Sequence, residues 1–168
     1  MKKFTGDFMD RLYAPWRREY HVKKQTGCVF CDIAASAEND DENHVFYRDD
    51  ICFFVMNRFP YNPGHFMIIP IRHVGEYEDL SEKEVCHIAK MAQKGCKILK
   101  DFGADGINMG WNLGFDAGAG IPGHIHLHLV PRFKRDTNMM TTVFNTRVYS
   151  ADFDKIFEEI KEISKKYL

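Results

Sequence analysis

Apolar positions along the chain change period several times, and each change marks an element. HVFYRD (44–49) and ICFFVMN (51–57) are dense in aromatic and β-branched residues and flank Asp50, the pattern of a strand hairpin. RFPYNPG (58–64), with two prolines and a glycine, reads as a turn, and HFMIIPI (65–71) as a third strand. From Ser81 the period lengthens to that of a helix. Ser81 and Glu84 make an S-x-x-E capping box, and Val85, Ile88, Ala89, Ala92, Cys96 and Leu99 form an apolar stripe that closes near Gly103. GINMGWN (106–112) follows as a fourth strand and LGFDAGAGIPG (113–123) as a glycine-rich loop. A last helix, Asp152 to Lys166, turns Phe153, Ile156, Phe157, Ile160 and Ile163 inward. Polar, acidic AASAENDDEN (34–43) reads as a surface loop.

The strictest alternation is GHIHLHLVPR (123–132), a predicted fifth strand. It puts His124, His126 and His128 on one face at steps of about 7 Å, with Ile125, Leu127 and Leu129 toward a core. Strands in runs, with one long inserted helix and one terminal helix, predict an α+β fold with an antiparallel sheet. A parallel sheet would need more crossovers.

Composition narrows the function. The 168 residues fit a single domain, and 45% hydrophobic with 28% charged residues is a globular balance. A net charge of −1 gives no basic field for nucleic acid. No apolar run reaches the roughly 18 residues of a membrane span. MKKFTGDFMD has no apolar stretch behind its lysines, so it does not read as a secretory signal, and the chain is read as cytoplasmic. Five cysteines argue against a disulfide framework. Cys52, Cys86 and Cys96 sit among apolar neighbours and read as buried thiols. Cys28 and Cys31 form a C-x-x-C, half of a tetrahedral zinc site; a redox role would need a βαβ context that is missing.

Three imidazoles on one face are costly unless they bind or react. A neutral Nε2 can attack phosphorus if Nδ1 keeps its proton through a partner. A phosphoanhydride already carries a good leaving group, so the remaining work is positioning and charge neutralisation. Gly118, Gly120 and Gly123 would let backbone N–H groups approach phosphate oxygens. Arg132, four residues past His128, returns to the same strand face and could hold a phosphate. GAGIPG (118–123) spells G-x-G-x-x-G but precedes a strand, where a dinucleotide fingerprint must open a helix. The bland alternative, surface or structural metal-bound histidines, suits a lone histidine better than three in alternation.

HIHLHLV (124–130) resembles the His-Φ-His-Φ-His-Φ-Φ signature (Φ apolar) of the histidine triad superfamily, whose nucleotide hydrolases and transferases work through a nucleotidylated histidine. NRFPYNPGHFMIIPIRHV (57–74) is similar to the family's Asn…Pro-Gly-His…Pro-x-x-His segment, and GINMGWNLGFDAGAGIPG (106–123) to the strand and loop before the triad. With CVFC, the likeness spans residues 28–135 as a core, flanked by an N-terminal extension (1–27) and a C-terminal segment and helix (136–168). It implies a sheet of about five antiparallel strands. It also implies His126 as nucleophile, His128 positioning the phosphate and His65 backing the site. Asn57 would contact the nucleoside and Asn112 the phosphate or the surroundings of the nucleophile, with Asn108 left structural. Cys28, Cys31, His73 and His124 match a structural zinc site in relatives that carry this C-x-x-C, leaving His126 free. Magnesium would arrive on the polyphosphate substrate. A homodimer through sheet-to-sheet contact is implied too.

Hydrolases of the superfamily usually carry Gln and Ser or Thr where this chain has Gly120 and Ile121. The uridylyltransferase branch has glutamine in place of His128. LYAPWRREY (12–20), FPYNPGH (59–65), GAGIPGHIHLHLVPR (118–132) and DTNMM…TRV (136–148) resemble instead the diadenosine tetraphosphate phosphorylase, or ATP adenylyltransferase-like, branch. The implied reaction is phosphorolysis of diadenosine tetraphosphate to ATP and ADP, with an adenine nucleotide favoured. Hydrolysis, as a nucleoside phosphoramidase or dinucleoside polyphosphate hydrolase, is the alternative within the enzyme class. A nucleotide-binding sensor without turnover is the alternative outside it.

Overall fold

A computed structural model describes residues 27–139 and 151–168. LYAPWRREY and residues 140–148 of the DTNMM…TRV stretch lie outside the described residues. The elements run α1 (Val29–Ala35), β1 (Val45–Arg48), β2 (Cys52–Met56), β3 (Phe66–Pro70), α2 (Glu82–Asp101), β4 (Gly106–Trp111), β5 (Leu127–Arg132) and α3 (Phe153–Ser164). The strands form one antiparallel sheet in the order β1-β2-β3-β5-β4. This is the α+β architecture that the pattern predicts.

The sheet is buried at its centre, where β2 and β3 have no exposed residue. One face carries Cys52, Phe54, Met56, Phe66, Ile68, Leu127 and Leu129 against α2 and α3. The other carries Phe53, Val55, Met67 and Ile69 against Phe30 of α1. His128 pairs with Met67 across β3 and β5, so the triad face is the thinly covered α1 face. Chemistry is thereby separated from the helical core.

The capping box of α2 is complete: Glu84 N–H donates to the Ser81 hydroxyl at 3.3 Å, and Ser81 N–H to the Glu84 carboxylate at 2.8 Å. The buried stripe differs from the sequence pattern. Ala89 is exposed, whereas Met91, Gly95 and Ile98 turn inward with Ile88, Ala92 and Leu99. Gly95 is where α2 closes on the sheet, since a Cβ there would lie 2.7 Å from Leu129 Cδ2. Hydropathy gives that residue no weight because its contribution is the absence of a side chain. Cys86, expected to be buried, lies exposed on the outer side of α2, while Cys52 is buried and Cys96 half-buried.

Two further boundaries move. The C-x-x-C segment, for which the sequence pattern predicts no element, is helical from Val29, and the helix runs into the expected surface loop as far as Ala35. The fifth ladder starts at Leu127, so His124 and His126 precede it. Residues 124–126 still alternate: Ile125 packs with Val74 and Leu80, and its N–H donates to the Val74 carbonyl at 2.7 Å. In α3, Ile156, Phe157 and Ile160 are buried as predicted, with Phe153 and Ile163 at the margin. No helix among the described residues is long and apolar enough to cross a membrane.

Candidate active site

The turn between β2 and β3 delivers His65. Gly64 has φ +85°, and a Cβ on it would come within 2.6 Å of Phe102, so this turn admits only glycine without rearrangement. Asn57 closes the turn: its N–H donates to the His65 carbonyl at 3.0 Å and its Oδ1 accepts Phe59 N–H at 2.9 Å. The Asn57 amide nitrogen lies 3.3 Å from both ring nitrogens of His65.

Hydrogen-bond partners fix the tautomers in sequence. Tyr61 N–H, which can only donate, points at His65 Nδ1 at 3.1 Å. His65 Nδ1 is therefore bare and the proton sits on Nε2, which donates to His128 Nδ1 at 2.9 Å. The His128 proton is thus on Nε2, which is buried without a partner among the described residues. His126 has the opposite arrangement: Nδ1–H donates to the His124 carbonyl at 2.9 Å, leaving a lone pair on Nε2. One imidazole offers a nucleophilic nitrogen, and its neighbour, 4.8 Å away between ring centroids, offers an N–H donor.

Burial keeps these rings neutral. It lowers His126, and with His126 alongside it lowers His128 to about 4. It pushes His65 well below the ordinary histidine value, with His128 and then His126 adding to the effect. Phe30 supplies part of that cover, its ring 5.5 Å from His124 and 5.2 Å from His126.

The first triad histidine faces elsewhere. His124 Nε2–H donates to the Pro70 carbonyl at 2.9 Å, which turns its bare Nδ1 toward Cys28 Sγ at 3.3 Å and Cys31 Sγ at 3.6 Å. His73 Nδ1 lies 3.2 Å from Cys31 Sγ. The four donor atoms fall within 4.8 Å of one another. Tetrahedral zinc, with bonds of about 2.0–2.3 Å, needs donors some 3.3–3.8 Å apart, and the Cys28–His124, Cys31–His124 and Cys31–His73 pairs, at 3.3, 3.6 and 3.2 Å, lie near that spacing, so this two-Cys, two-His set fits the metal. Burial, then the adjacent Cys28, raises the Cys31 thiol to about 11. A cation is what would favour its thiolate.

Other predicted residues are distributed less simply. Asn112 and His128 line one groove of about 440 Å³. Arg132 shares that groove and face, but its guanidinium is clamped: Nε and an Nη donate to Asp136 at 2.6 and 2.9 Å, and the other Nη to Asn108 Oδ1 at 2.9 Å. Gly118, Gly120 and Gly123 lie exposed in the loop before β5, where Gly118 N–H is spent on the Phe115 carbonyl at 2.9 Å.

Sequence reasoning missed Asn62 and Asp136. Asn62 is buried and donates to the Pro131 carbonyl at 2.8 Å and to Asp136 at 2.9 Å, tying the His65 turn to the end of β5. No periodic signal marks such a pair, because it joins positions 74 residues apart.

The site holds buried imidazoles, one with a bare ring nitrogen and one with an unpartnered N–H among the described residues, beside an open polar groove, an arrangement suited to a nucleotide-processing enzyme. The chain belongs to the histidine triad (HIT) family, as the HIT domain matches residues 38–135. It is 34% identical over 151 residues to an AP-4-A phosphorylase of Mycobacterium tuberculosis, covering 84% of this chain and 77% of the relative. It is also 34% identical over 104 residues to an asymmetrical bis(5'-nucleosyl)-tetraphosphatase of Schizosaccharomyces pombe, covering 61% and 57%. Among solved structures, a Zn-bound histidine triad family protein from Mycobacterium smegmatis superposes with a TM-score of 0.69 at 25% identity, over 83% of this chain and 94% of that one.

Proposed function

We propose that the chain transfers a nucleotidyl group through His126, and that its reaction is the phosphorolysis of diadenosine tetraphosphate to ATP and ADP. The observation that carries this reading is the opposed pair of tautomers, with a lone pair on His126 Nε2 and a proton on His128 Nε2. His126 Nε2 attacks the phosphorus of the first adenylyl group, forming a P–N bond as the P–O bond to the departing ATP breaks. His128 Nε2–H donates a hydrogen bond to the leaving oxygen, and His65 holds His128 in the required tautomer. Inorganic phosphate then attacks the adenylyl group, the P–N bond breaks back to His126, and ADP forms. The AP-4-A phosphorylase relative supports this choice of substrate. Water attacking the same intermediate would give AMP, and the tetraphosphatase relative supports that second reading.

We assign Cys28, Cys31, His73 and His124 to a structural zinc ion. When bound it would tie α1 to the triad segment and hold the His124 carbonyl where His126 Nδ1–H needs it. Magnesium, in this reading, comes with the polyphosphate. Thiolate ligands suit a reducing compartment such as the cytoplasm. A homodimer through the free edge of β4 would cover Met109 and Leu113, which are half exposed, and Phe115, which is 78% exposed. Residues 28–135 together with α3 act in this proposal as one catalytic domain.

The test is ³¹P NMR and anion exchange of products from diadenosine tetraphosphate, with and without phosphate, for wild type and His126→Ala. Phosphate-dependent ATP and ADP, lost in the variant, is the expected outcome. AMP and ATP formed without phosphate would replace phosphorolysis with hydrolysis. No turnover would leave a nucleotide-binding protein.

A further inference from the structure

β4 has an unusual site face. Gly106, Asn108 and Gly110 point to the side of the sheet that carries Arg132, Val130 and His128, their direct partners on β5. Ile107 and Trp111 face the core instead. Glycine and asparagine are poor strand formers, and a glycine inside a strand commonly marks a place where something approaches the backbone closely. Among the described residues a Cβ on Gly110 would meet no atom within 4 Å, and its φ is not positive. The missing side chain keeps space open, and the groove runs through that space.

The two ends of this track differ. At the inner end the buried His128 Nε2–H has no acceptor among the described residues. At the outer end the Arg132–Asp136 pair is charge-compensated, and Asn108 Oδ1 is taken by Arg132, so Asn108 presents its amide N–H groups. The four strand steps from His128 to Arg132 span about 13 Å. A neutral, hydrogen-bonding end wall suits an uncharged nucleoside and offers little to a bare terminal phosphate.

We propose that the Gly-Asn ribbon of β4 is the subsite for the departing half of the substrate, a nucleoside polyphosphate whose chain enters at His128 and whose nucleoside rests beside Asn108 and the Arg132–Asp136 pair. This rests on the nucleotidyl-transfer reading above. It makes Asn108 and Gly110 determinants of leaving-group specificity without a part in the attack itself. The attacking His126 handles the adenylyl half whatever departs.

Two substrates with the same adenylyl half separate the ideas: diadenosine tetraphosphate, and adenosine 5'-phosphoramidate, whose leaving group is too small to reach the ribbon. Asn108→Leu and Gly110→Val fill the track at exposed positions, and thermal unfolding checks that each variant is folded. The ratio of kcat/KM for the tetraphosphate to that for the phosphoramidate is expected to fall about tenfold or more in both variants. A ratio that stays within about twofold of wild type in both would overturn the subsite while leaving the transfer chemistry intact. Wild-type protein that turns over neither compound would instead overturn the reading on which the subsite rests.

Discussion

His65 Nε2 and His128 Nδ1 stand 2.9 Å apart, and this contact passes the orientation of a backbone N–H in the β2–β3 turn to the imidazole that faces the groove. Without His65, His128 could keep its proton on either nitrogen. Replacing His65 by Phe, which preserves bulk but offers no donor, should lower kcat by about a hundredfold or more with little change in KM. Steady-state kinetics on the adenylyl substrates checks this. A large KM effect with kcat intact would mean that His65 only shapes the pocket.

Acid should destabilise the fold earlier than carboxylate titration alone would. His128 titrates at about 4 in the folded protein and burial holds His65 well below the ordinary histidine value, against about 6.5 for both once unfolded. The unfolded chain therefore binds protons first, and stability that is complete above pH 6.5 is lost as the pH falls toward 4. The slope is about 1.4 kcal/mol per pH unit for each histidine held neutral. Urea unfolding midpoints between pH 7.5 and 5 measure it, and the slope should be shallower in His65→Phe.

Cys28→Ser should reduce bound zinc and lower the thermal unfolding midpoint by several degrees, since a structural metal contributes to folding directly. Metal analysis of protein expressed with ample zinc, paired with a thermal scan, tests both parts. Equal zinc content in wild type and variant would remove these four residues as the site.

Gly95→Val tests the closure of α2 on the sheet. The added side chain meets Leu129 and Phe66, both fully buried, and should cost about 1–3 kcal/mol through overpacking. Chemical denaturation reads this out. A neutral or stabilised variant would mean that α2 shifts freely over β5.

Much of the fold was legible because its signals are local. The hairpin of β1 and β2, the Ser81 capping box and the amphipathic face of α3 each depend on neighbours within a few residues. Ala89 and Cys86 misled for the same reason, since hydropathy cannot tell a small apolar residue at the margin of a helix from one beneath it. The triad histidines stood out through alternation and through the likeness to a known family. The place of Asn108 on the groove face, where the sequence reading leaves it structural, was legible in the Gly-x-Asn-x-Gly-x-Asn alternation of residues 106–112, which puts every second residue on one face.

By itself the sequence determined which residues share a strand or helix face, because that follows from the fixed periods of the backbone. It thereby set the triad apart from the core and marked the three imidazoles as the candidate chemistry. Only the tertiary structure decided which partner each imidazole meets. Whether a ring nitrogen carries a proton depends on a partner such as Tyr61 N–H, Pro70 O or His124 O. Whether Arg132 is free depends on Asp136 and Asn108 reaching it. Those partners are brought together by strand register and turn geometry across the whole chain, and a local pattern holds no record of them.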